Sequence, residues 1–398
     1  MRRLRCLKLA LGAVVLAIGL FQGGRLCAED AVTLQLRWRH GSQFAGYYVA
    51  KEEGYYAAEG LDVRLSEGGA GIDVCTEVLE GRAQFGVGGS EAILRYLQGQ
   101  PVRSVAVVVQ HSPYALMVRR GTGIEHPQHL IGRTVYLGDL RRNAEIQAML
   151  RHEGVSLDAM DLVDYATLER DFRNPSIDAF SVYLTNEPHL ADEMGMAFDL
   201  IRPISYGIDF YGDGLITSQT EIDRHGERVR RFVRASLRGW RDAFEHPQQT
   251  IDLVMEHYDS EGRDRAHLEF ELTRMRELTL PDLVELGTQN PQRWDRVAKT
   301  YADLGMAPPT ASAQGYVFDE SLEAAAAQQR VQQVLLWSVG VAAAVLLLGV
   351  VWTRGLRARV RKRTEELSHE VAGHEATRRE LERTLSSYRT LFLSLIHI

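Results

Sequence analysis

The chain has 398 residues, of which 45% are hydrophobic and 25% are charged, and its formal net charge is -7. This length and composition are typical of a globular protein with room for two lobes and appendages. The negative net charge gives no reason to expect a nucleic-acid partner. Of the three cysteines, Cys6 and Cys27 lie in the N-terminal leader, so a mature domain would keep only Cys75 and form no internal disulfide.

Residues 1–28 have the layout of a secretory signal peptide. Basic residues are followed by an apolar run from Leu9 to Phe21, and the small residue Ala28 ends the segment. The run is short for a helix that crosses a bilayer. The residues before Ala28 form a weak cleavage site, so an uncleaved N-terminal anchor is the alternative.

The first predicted strand covers Thr33 to Trp38, where apolar and polar residues alternate with period two. A helix is predicted from Phe44 to Ala58, because Gly60 suits the residue after a helix end. Ligands of open α/β sheets bind at the carboxyl ends of the strands. The candidate pocket residues in this stretch are therefore Trp38, His40, Phe44 and Tyr47. For the last two, packing in the core is an equal alternative.

Strands and helices continue to alternate after this first unit. Leu61–Leu65 is predicted to be a strand, and Val102–Val109 is a near-continuous run of β-branched residues. Such a run favours a strand buried on both faces of a parallel sheet. Gln110, His111 and Ser112 follow directly and form a second polar cluster at a strand end. They are further candidate ligand contacts.

A third group of polar residues follows the strand predicted at Ile177–Val182, and Tyr206–Ile216 then returns the chain toward the first lobe. The candidate ligand contacts in this part of the chain are Tyr183, Asn186, Glu187 and Asp209. Asn186 or Glu187 could instead only cap a helix that begins there. Asp209 could equally belong to a hinge turn.

Most of the remaining chain up to about Leu304 is predicted to be helical, and Trp240 lies on an apolar stripe that is typical of a core helix. Two α/β lobes joined by returning strands, in a secreted protein, indicate a two-lobed periplasmic binding protein. In that fold the pocket lies between the lobes, and the lobes close around the ligand by hinge motion. His40 and His111 lack metal-ligand spacing, so no metal or cofactor is predicted.

Six ordered segments resemble a known family: RWRHGSQFAGYYVAKEEGYYAAEGLDV, FGVGGSEAIL, QHSPYALM, YLTNEP, GIDFYGDGLITS and SLRGWRDAFEHP. Over residues 31–318 the chain is similar to the thiamine-pyrimidine-precursor binding family of type II periplasmic binding proteins. That family includes importer-linked binding proteins and the hydroxymethylpyrimidine phosphate synthase of yeasts. The resemblance implies a pyrimidine-like ligand and a homologous pocket around Trp38.

The resemblance does not extend to the residues that carry the synthase chemistry. The cofactor-binding lysine of the synthase aligns with Gly88, and its substrate histidine aligns with Ala92. Its cysteine-rich iron site aligns with residues 180–183, where no cysteine stands. We therefore expect binding and not catalysis. For a heteroaromatic ligand, Trp38 and Tyr47 offer stacking faces, and the polar candidates offer hydrogen bonds.

Val334–Trp352 is an uncharged apolar stretch of about the length that a helix needs to cross a bilayer. A basic cluster between Arg354 and Arg363 follows it, whereas the segment before it is acidic. The positive-inside rule places the C-terminus in the cytoplasm and the preceding domain outside. A bacterial inner-membrane protein with a single pass after signal cleavage, and with its binding domain in the periplasm, is predicted.

The tail after the membrane helix has a weak heptad pattern that includes Leu367, Leu381 and Leu385. It predicts either a two-stranded signalling helix, and with it a homodimer, or an exposed charged helix. Ser387–Phe392 resembles the opening of a PAS domain, as found in sensor kinases and diguanylate cyclases. We therefore expect the chain to be the input part of a longer receptor.

The predicted organisation is an α/β two-lobed binding protein followed by one transmembrane helix and a cytoplasmic coiled-coil helix. Its segments are a signal peptide or anchor at 1–28, a periplasmic solute-binding domain at 29–318, a linker at 319–333, a membrane helix at 334–352, a signalling helix at 353–387 and the start of a PAS-like domain at 388–398. A tethered solute-binding protein of an ABC importer is the alternative function. The basic, heptad-patterned tail favours the receptor, because solute delivery alone does not require it.

Overall fold

The structure is a computed structural model that describes residues 29–69, 71–138, 143–163, 176–318 and 320–396. For residues 320–330 and 391–396 it describes the backbone only. The predicted signal peptide, with Cys6 and Cys27, lies outside the described residues. The contacts within the chain divide it into two units between residues 319 and 320.

The first unit contains two five-stranded sheets. The strands are β1 Asp30–Gln35, β2 Leu61–Ser66, β3 Phe85–Gly88, β4 Val102–Val107, β5 Tyr114–Arg119, β6 Thr134–Tyr136, β7 Asp161–Val163, β8 Ala179–Tyr183, β9 Phe198–Ile201 and β10 Gly214–Ser218. The first sheet has the order β2-β1-β3-β10-β4 and the second has the order β7-β6-β8-β5-β9. Each sheet, with the helices packed on it, forms one lobe.

Helices cover the sheets and complete both lobes. They are α1 Ala45–Glu52, α2 Tyr55–Ala58, α3 Val74–Leu79, α4 Ser90–Leu97, α5 Ala144–His152, α6 Glu187–Glu193, α7 Gln219–Glu245, α8 Pro247–His257, α9 Arg265–Thr279, α10 Pro291–Asp303 and α11 Glu320–Ile396. Short 3-10 helices lie at Ser42–Phe44, Pro127–Leu130, Leu157–Ala159 and Pro203–Tyr206. Of these, α5 and α6 belong to the second lobe, and α7 to α10 return to the first.

The helix predicted from Phe44 to Ala58 is interrupted. The α1 helix ends at Glu52, and Gly54 adopts a left-handed conformation with φ of 71° before α2 begins. The helical spacing of apolar residues in the sequence continues across this break, because the apolar residues of both α1 and α2 pack into the core of the first lobe. The prediction of one continuous helix was therefore wrong, although the end of the unit at Gly60, with φ of 70°, was right.

The prediction that Val102–Val109 lies in a parallel sheet was also wrong. The β4 strand ends at Val107 and pairs with β10 in antiparallel orientation. Its residues are nonetheless almost all buried, because helices cover one face and the core fills the other. A continuous apolar run reports burial on both faces but does not report the direction of the neighbouring strand.

Close packing of α1 against α7 fixes the first lobe. Gly46 and Gly239 face each other there, and a Cβ atom at Gly239 would lie 2.1 Å from the carbonyl oxygen of Gly46. Trp240, predicted to be a core residue, is 1% exposed and makes an edge contact with Tyr47. The small residues at this crossing therefore let the two helix backbones approach closely.

The chain passes between the lobes twice, through residues 108–113 and 202–213, here called the two linkers. They are bonded to each other: Ser112 N donates to the Phe210 carbonyl at 2.9 Å, and Gly212 N donates to the Val109 carbonyl at 2.9 Å. The predicted return of the chain to the first lobe is confirmed, because β10 enters the first sheet between β3 and β4.

The second unit is the single long helix α11, which has 77 residues. Within the described residues it is the one helix whose length and apolar composition suffice for a membrane span. The predicted membrane helix, signalling helix and PAS-like opening all fall on it. Apolar side chains of the heptad pattern, such as Leu367 and Leu385, are more than half exposed in this unit.

Candidate functional site

A cavity of about 770 Å³ lies between the two lobes. The first lobe lines it with residues that follow β1, with the start of α3 and one side of α4. The second lobe contributes the ends of β5, β6 and β8 and the start of α6, and the segment around α9 adds two further side chains. The polar and aromatic lining residues are Arg37, Trp38, Gln43, Asp73, Glu91, Arg95, Gln98, Tyr114, Tyr136, Asn143, Ser181, Tyr183, Asn186, Glu187, Arg263 and Glu271.

Arg37 is the buried centre of a charged cluster on the first-lobe side of the cavity. Its guanidinium forms an ion pair with Asp213 and lies 3.3 Å from Glu91 Oε1. Gln43 Nε2 donates to the second Asp213 oxygen at 2.7 Å. Arg37 Nη2 also donates to the hydroxyl of Tyr114, on the second lobe, at 3.4 Å. The cluster therefore joins both lobes through one side chain.

The negative charges of this cluster stabilise the positive charge of Arg37. Burial alone would lower the pKa of Arg37, but the negative charges of Glu91 and Asp213 outweigh it and raise that pKa well above its ordinary value. Arg37 thus stays charged while 5% exposed. Because two carboxylates face one guanidinium, this part of the cavity is not built as a receptor for an anion.

Glu187 lies at the start of α6 and lines the opposite side of the cavity. Its Oε2 accepts from Tyr183 N at 2.7 Å, and its Oε1 accepts from Asn186 Nδ2 at 3.3 Å. Burial raises the pKa of Glu187, while these two bonds oppose the rise. Asn186 Oδ1 in turn lies 2.9 Å from His267 Nε2, which fixes the orientation of the amide.

Glu271, on α9, is a second buried carboxyl group in the cavity wall. Its Oε2 accepts from Ser42 N at 2.8 Å. Burial raises the pKa of Glu271 to about 7, although the Arg263 charge and the Ser42 bond favour the ionised form. The cavity therefore contains two carboxyl groups whose pKa values are raised by burial, and a protonated carboxyl group both donates and accepts a hydrogen bond.

Aromatic rings provide the apolar surface of the cavity. Trp38 is partly buried against the core of the first lobe. Tyr114 and Tyr183, from the second lobe, form an edge-to-face pair with ring centres 5.2 Å apart. Flat aromatic faces on both lobes suit a planar ring that is enclosed when the lobes close.

Four of the residues predicted from the sequence line this cavity: Trp38, Tyr183, Asn186 and Glu187. The structure brings them together across the two lobes. Asn186 is also the residue before α6, as in the capping alternative, but its side chain makes no capping hydrogen bond to that helix among the described residues. Its amide contacts Glu187 and His267 instead.

Four other predicted residues, Gln110, His111, Ser112 and Asp209, lie in the linkers and not in the cavity lining. His111 Nδ1 and Asp209 Oδ1 are 2.7 Å apart, so these side chains join one linker to the other. Arg293 donates to the carbonyl of Gln110 at 2.6 Å and to Asp209 Oδ1 at 2.7 Å. Asp209 therefore has the place of a hinge residue, the alternative that the sequence left open.

The side chains of Ser112 and of the remaining predicted residues also lie away from the cavity lining. Ser112 Oγ donates to the buried Glu145. His40 Nδ1 lies 2.9 Å from the hydroxyl of Tyr48, behind the cavity wall. Phe44 and Tyr47 are at most 1% exposed and pack in the first-lobe core. Of the four residues predicted in the stretch after β1, which are Trp38, His40, Phe44 and Tyr47, only Trp38 lines the cavity.

Sequence reasoning missed several lining residues, and Arg37, Gln43, Arg263 and Glu271 are the most informative. Arg37 stands next to Trp38 but at a polar position of the alternating pattern, where a charged side chain is expected to face solvent, so its residue type gave no signal of a buried site. Glu271 gave no local signal, because it lies on an ordinary amphipathic helix. It reaches the cavity only because α9 packs beside the 3-10 helix at Ser42–Phe44.

A model of the family described as NMT1/THI5 like matches residues 41–250, which is more than half of the chain. The chain belongs to this family. The match covers both linkers and most of the elements that surround the cavity.

Known relatives and solved structures agree with this assignment. The riboflavin-binding protein RibY of Chloroflexus aurantiacus is 29% identical over 56% of this chain, and the match spans just under two thirds, 66%, of that protein. A formylaminopyrimidine-binding protein of Halalkalibacterium halodurans is 26% identical over 58% of this chain and 72% of its own length. The alkanesulfonate-binding protein SsuA of Xanthomonas axonopodis superposes with a TM-score of 0.57 at 12% identity, covering 73% of this chain and 98% of SsuA. The two-lobed periplasmic binding protein fold is therefore confirmed.

The positions that the resemblance matched to the synthase residues have structural roles in this chain. Gly88 ends β3, where a Cβ atom would meet Ile216 at 3.1 Å. Ala92 is buried in α4, and residues 180–183 form most of β8.

Proposed function

We propose that the chain is the ligand-binding portion of a membrane-anchored sensory receptor, of the histidine kinase or diguanylate cyclase type. It binds a small pyrimidine-like solute between its lobes. The observation that supports this most directly is the pair of protonatable carboxyl groups, Glu187 and Glu271, in a cavity that Trp38 also lines. The family membership supports a binding role for the same cavity.

The chemistry of the carboxyl groups suits an aminopyrimidine edge. Such an edge presents a ring nitrogen that accepts and an amino group that donates. A protonated carboxyl group presents the complementary O–H donor and carbonyl acceptor. A pyrimidinedione edge places an N–H donor beside a carbonyl acceptor, so the same protonated group can also bind it through two hydrogen bonds. The relatives named for formylaminopyrimidine and riboflavin represent these two kinds of edge.

A ligand panel tests the proposal with the full chain in detergent micelles. Thermal unfolding should be measured with aminopyrimidines, uracil and riboflavin, and alkanesulfonates. We expect aminopyrimidines to raise the unfolding temperature, because a ligand that binds only the folded state stabilises it. The Trp38→Ala and Glu187→Gln variants should lose about 1–3 kcal/mol of binding free energy, through lost stacking and a changed hydrogen-bond pattern.

The matched control is Glu277→Gln, the same chemical change on the exposed surface of α9. It should bind aminopyrimidines as the unmodified chain does. A response to sulfonates alone would contradict the ligand class. Equal binding by Glu187→Gln and the unmodified chain would contradict the role of this carboxyl group.

The receptor role is supported by the second unit. Its apolar stretch Val334–Trp352 is followed by basic residues and then by exposed apolar residues at heptad spacing. We propose a single pass through the bacterial inner membrane, a periplasmic binding domain, and a homodimer that forms through the tail. Delivery of solute to an ABC importer remains the second candidate, which the periplasmic binding fold supports equally.

Disulfide crosslinking in membranes separates these two roles. In a chain with Cys6→Ser and Cys27→Ser, the Leu367→Cys variant should form a crosslinked dimer, and the yield should change when the ligand identified in the panel is added. Glu366→Cys, one position away and off the predicted seam, is the control and should crosslink less. If the yield of the Leu367→Cys crosslink does not change when the ligand binds, the importer role is favoured.

A further inference from the structure

A second group of ligating side chains lies outside the cavity lining, on α6 and at the start of α9. His189 and Glu193 are four residues apart on this helix, so both point from the same face. His189 Nε2 lies 3.4 Å from Glu193 Oε1. A histidine and a carboxylate at this spacing on one helix can bind the same metal ion.

Asp264 brings a third ligand from a different part of the chain. It is the N-cap residue of α9, and its Oδ1 accepts from His267 N at 2.8 Å. One ligand atom of each of His189, Glu193 and Asp264 lies within 4.8 Å of the others. Small side-chain rotations would bring all three within coordination distance of one ion.

The imidazole of His189 supplies an independent observation. Its Nε2 atom is buried, and because the 3.4 Å contact with Glu193 Oε1 lacks hydrogen-bond geometry, this atom has no hydrogen-bond partner among the residues that the structure describes. Its ring packs against the rings of His267, at 4.7 Å, and Phe270, at 5.1 Å, which hold it in place. A buried ring nitrogen without a partner is costly, and coordination to a metal ion would satisfy it.

We propose that His189, Glu193 and Asp264 form a binding site for one divalent transition-metal ion such as Zn²⁺. A neutral imidazole nitrogen and two carboxylate oxygens match the donor set that Zn²⁺ accepts, and water would complete the coordination. The two carboxylates balance the charge of the ion. The neighbouring Arg263 is directed away, to the His40 carbonyl at 2.7 Å and to Glu261.

The position of the site gives the ion a structural role. His189 and Glu193 belong to the second lobe, whereas α9 packs on the first lobe through the contact of Glu271 with Ser42. An ion bound by all three residues therefore links the lobes. It does so next to Asn186 and Glu187, which begin the same helix and line the cavity. Metal binding should thus favour the arrangement of the lobes seen in this structure.

Metal titration of the full chain tests the site without any organic ligand. The chain, purified without an affinity tag in detergent and stripped with a chelator, should be titrated with Co²⁺ and Zn²⁺ against a chromophoric competitor. We expect one equivalent to bind and Co²⁺ to show the absorption bands of a coordinated ion. His189→Gln, Glu193→Gln and Asp264→Asn should each lower the affinity at least about tenfold.

Asp264→Asn is the most informative variant, because asparagine also caps helices and should leave α9 intact. The control is His246→Gln, which alters a second histidine and carboxylate pair at the same spacing, with Asp242, on the exposed surface. It should leave the metal affinity unchanged. The proposal is overturned if the unmodified chain binds no ion, or if Asp264→Asn and Glu193→Gln bind as the unmodified chain does.

Discussion

Replacement of Arg37 by methionine should destabilise the first unit by about 3–5 kcal/mol, because it leaves the buried Asp213 and the partly buried Glu91 without this positive charge. Methionine is close to arginine in length and fills the space of its aliphatic stem. The loss therefore reports charge and hydrogen bonding, not an empty volume. Denaturant unfolding of the full chain in micelles, followed by tryptophan fluorescence, measures the change.

Two further variants test whether the loss of stability comes from the burial of the ion pair and not from the loss of any arginine–carboxylate pair. Arg120→Met removes an ion pair with Asp199 in which both side chains are more than half exposed, and it should cost less than about 1 kcal/mol. Adding Asp213→Asn to Arg37→Met should restore part of the lost stability, because the unpaired charge is then gone. A loss below about 1 kcal/mol for Arg37→Met would contradict the role assigned to the cluster.

Replacement of Glu145 by glutamine should remove part of the pH dependence of stability. Glu145 is fully buried at the start of α5 and accepts from Ser112 Oγ. Burial raises its pKa to about 7, the charge of Glu91 adds to the rise, and the charge of Arg37 and the Ser112 bond oppose it. Tyr301 is the other titratable group that faces it.

The direction of this pH dependence follows from the protonation of Glu145 in the folded and in the unfolded protein. Between about pH 4.5 and pH 7 the folded protein keeps a proton on Glu145 that the unfolded protein has lost. The unmodified chain therefore loses stability as the pH rises through this window, by about 3 kcal/mol in total, and above it the loss is complete. Glu145→Gln cannot titrate, and its Oε1 still accepts from Ser112.

The expected result is that Glu145→Gln gains about 3 kcal/mol relative to the unmodified chain between pH 4.5 and pH 8. The pH dependence from Glu271 is present in both proteins and cancels in the difference. Glu277→Gln, on the exposed surface, should show no such gain. Parallel stability curves for Glu145→Gln and the unmodified chain would show that Glu145 keeps an ordinary pKa in the folded state.

The sequence predicted the two-lobed architecture because the signals for it are local. Alternation of strand and helix patterns, and the return of the chain after residue 206, follow from the residues themselves. Trp38 was found because the first residues after a strand lie at the edge of the sheet. The two lobes, the cleft between them and four of its lining residues, Trp38, Tyr183, Asn186 and Glu187, were thus accessible without coordinates.

The rest of the cavity depends on contacts between distant parts of the chain. Gln110, His111 and Asp209 have the residue types of ligand contacts, but the linkers lie side by side. Asp209 therefore contacts His111 and Arg293, and the Gln110 side chain donates to the Thr288 carbonyl at 3.1 Å. Sequence shows polar residues at a crossover and does not show which way they face. Glu271 reaches the cavity from α9 through a packing arrangement that no nearby residue encodes.

The insertion of β10 between β3 and β4 has a consequence for the order of folding. The first sheet cannot be completed until residues 214–218 are available, whereas β5 to β9 are contiguous in sequence between residues 114 and 201. A chain that emerges from its N-terminus onward can therefore assemble the second lobe while β4 still lacks its partner strand. Until β10 arrives, β4 has an open edge, and that edge is the place where another chain could pair and start aggregation.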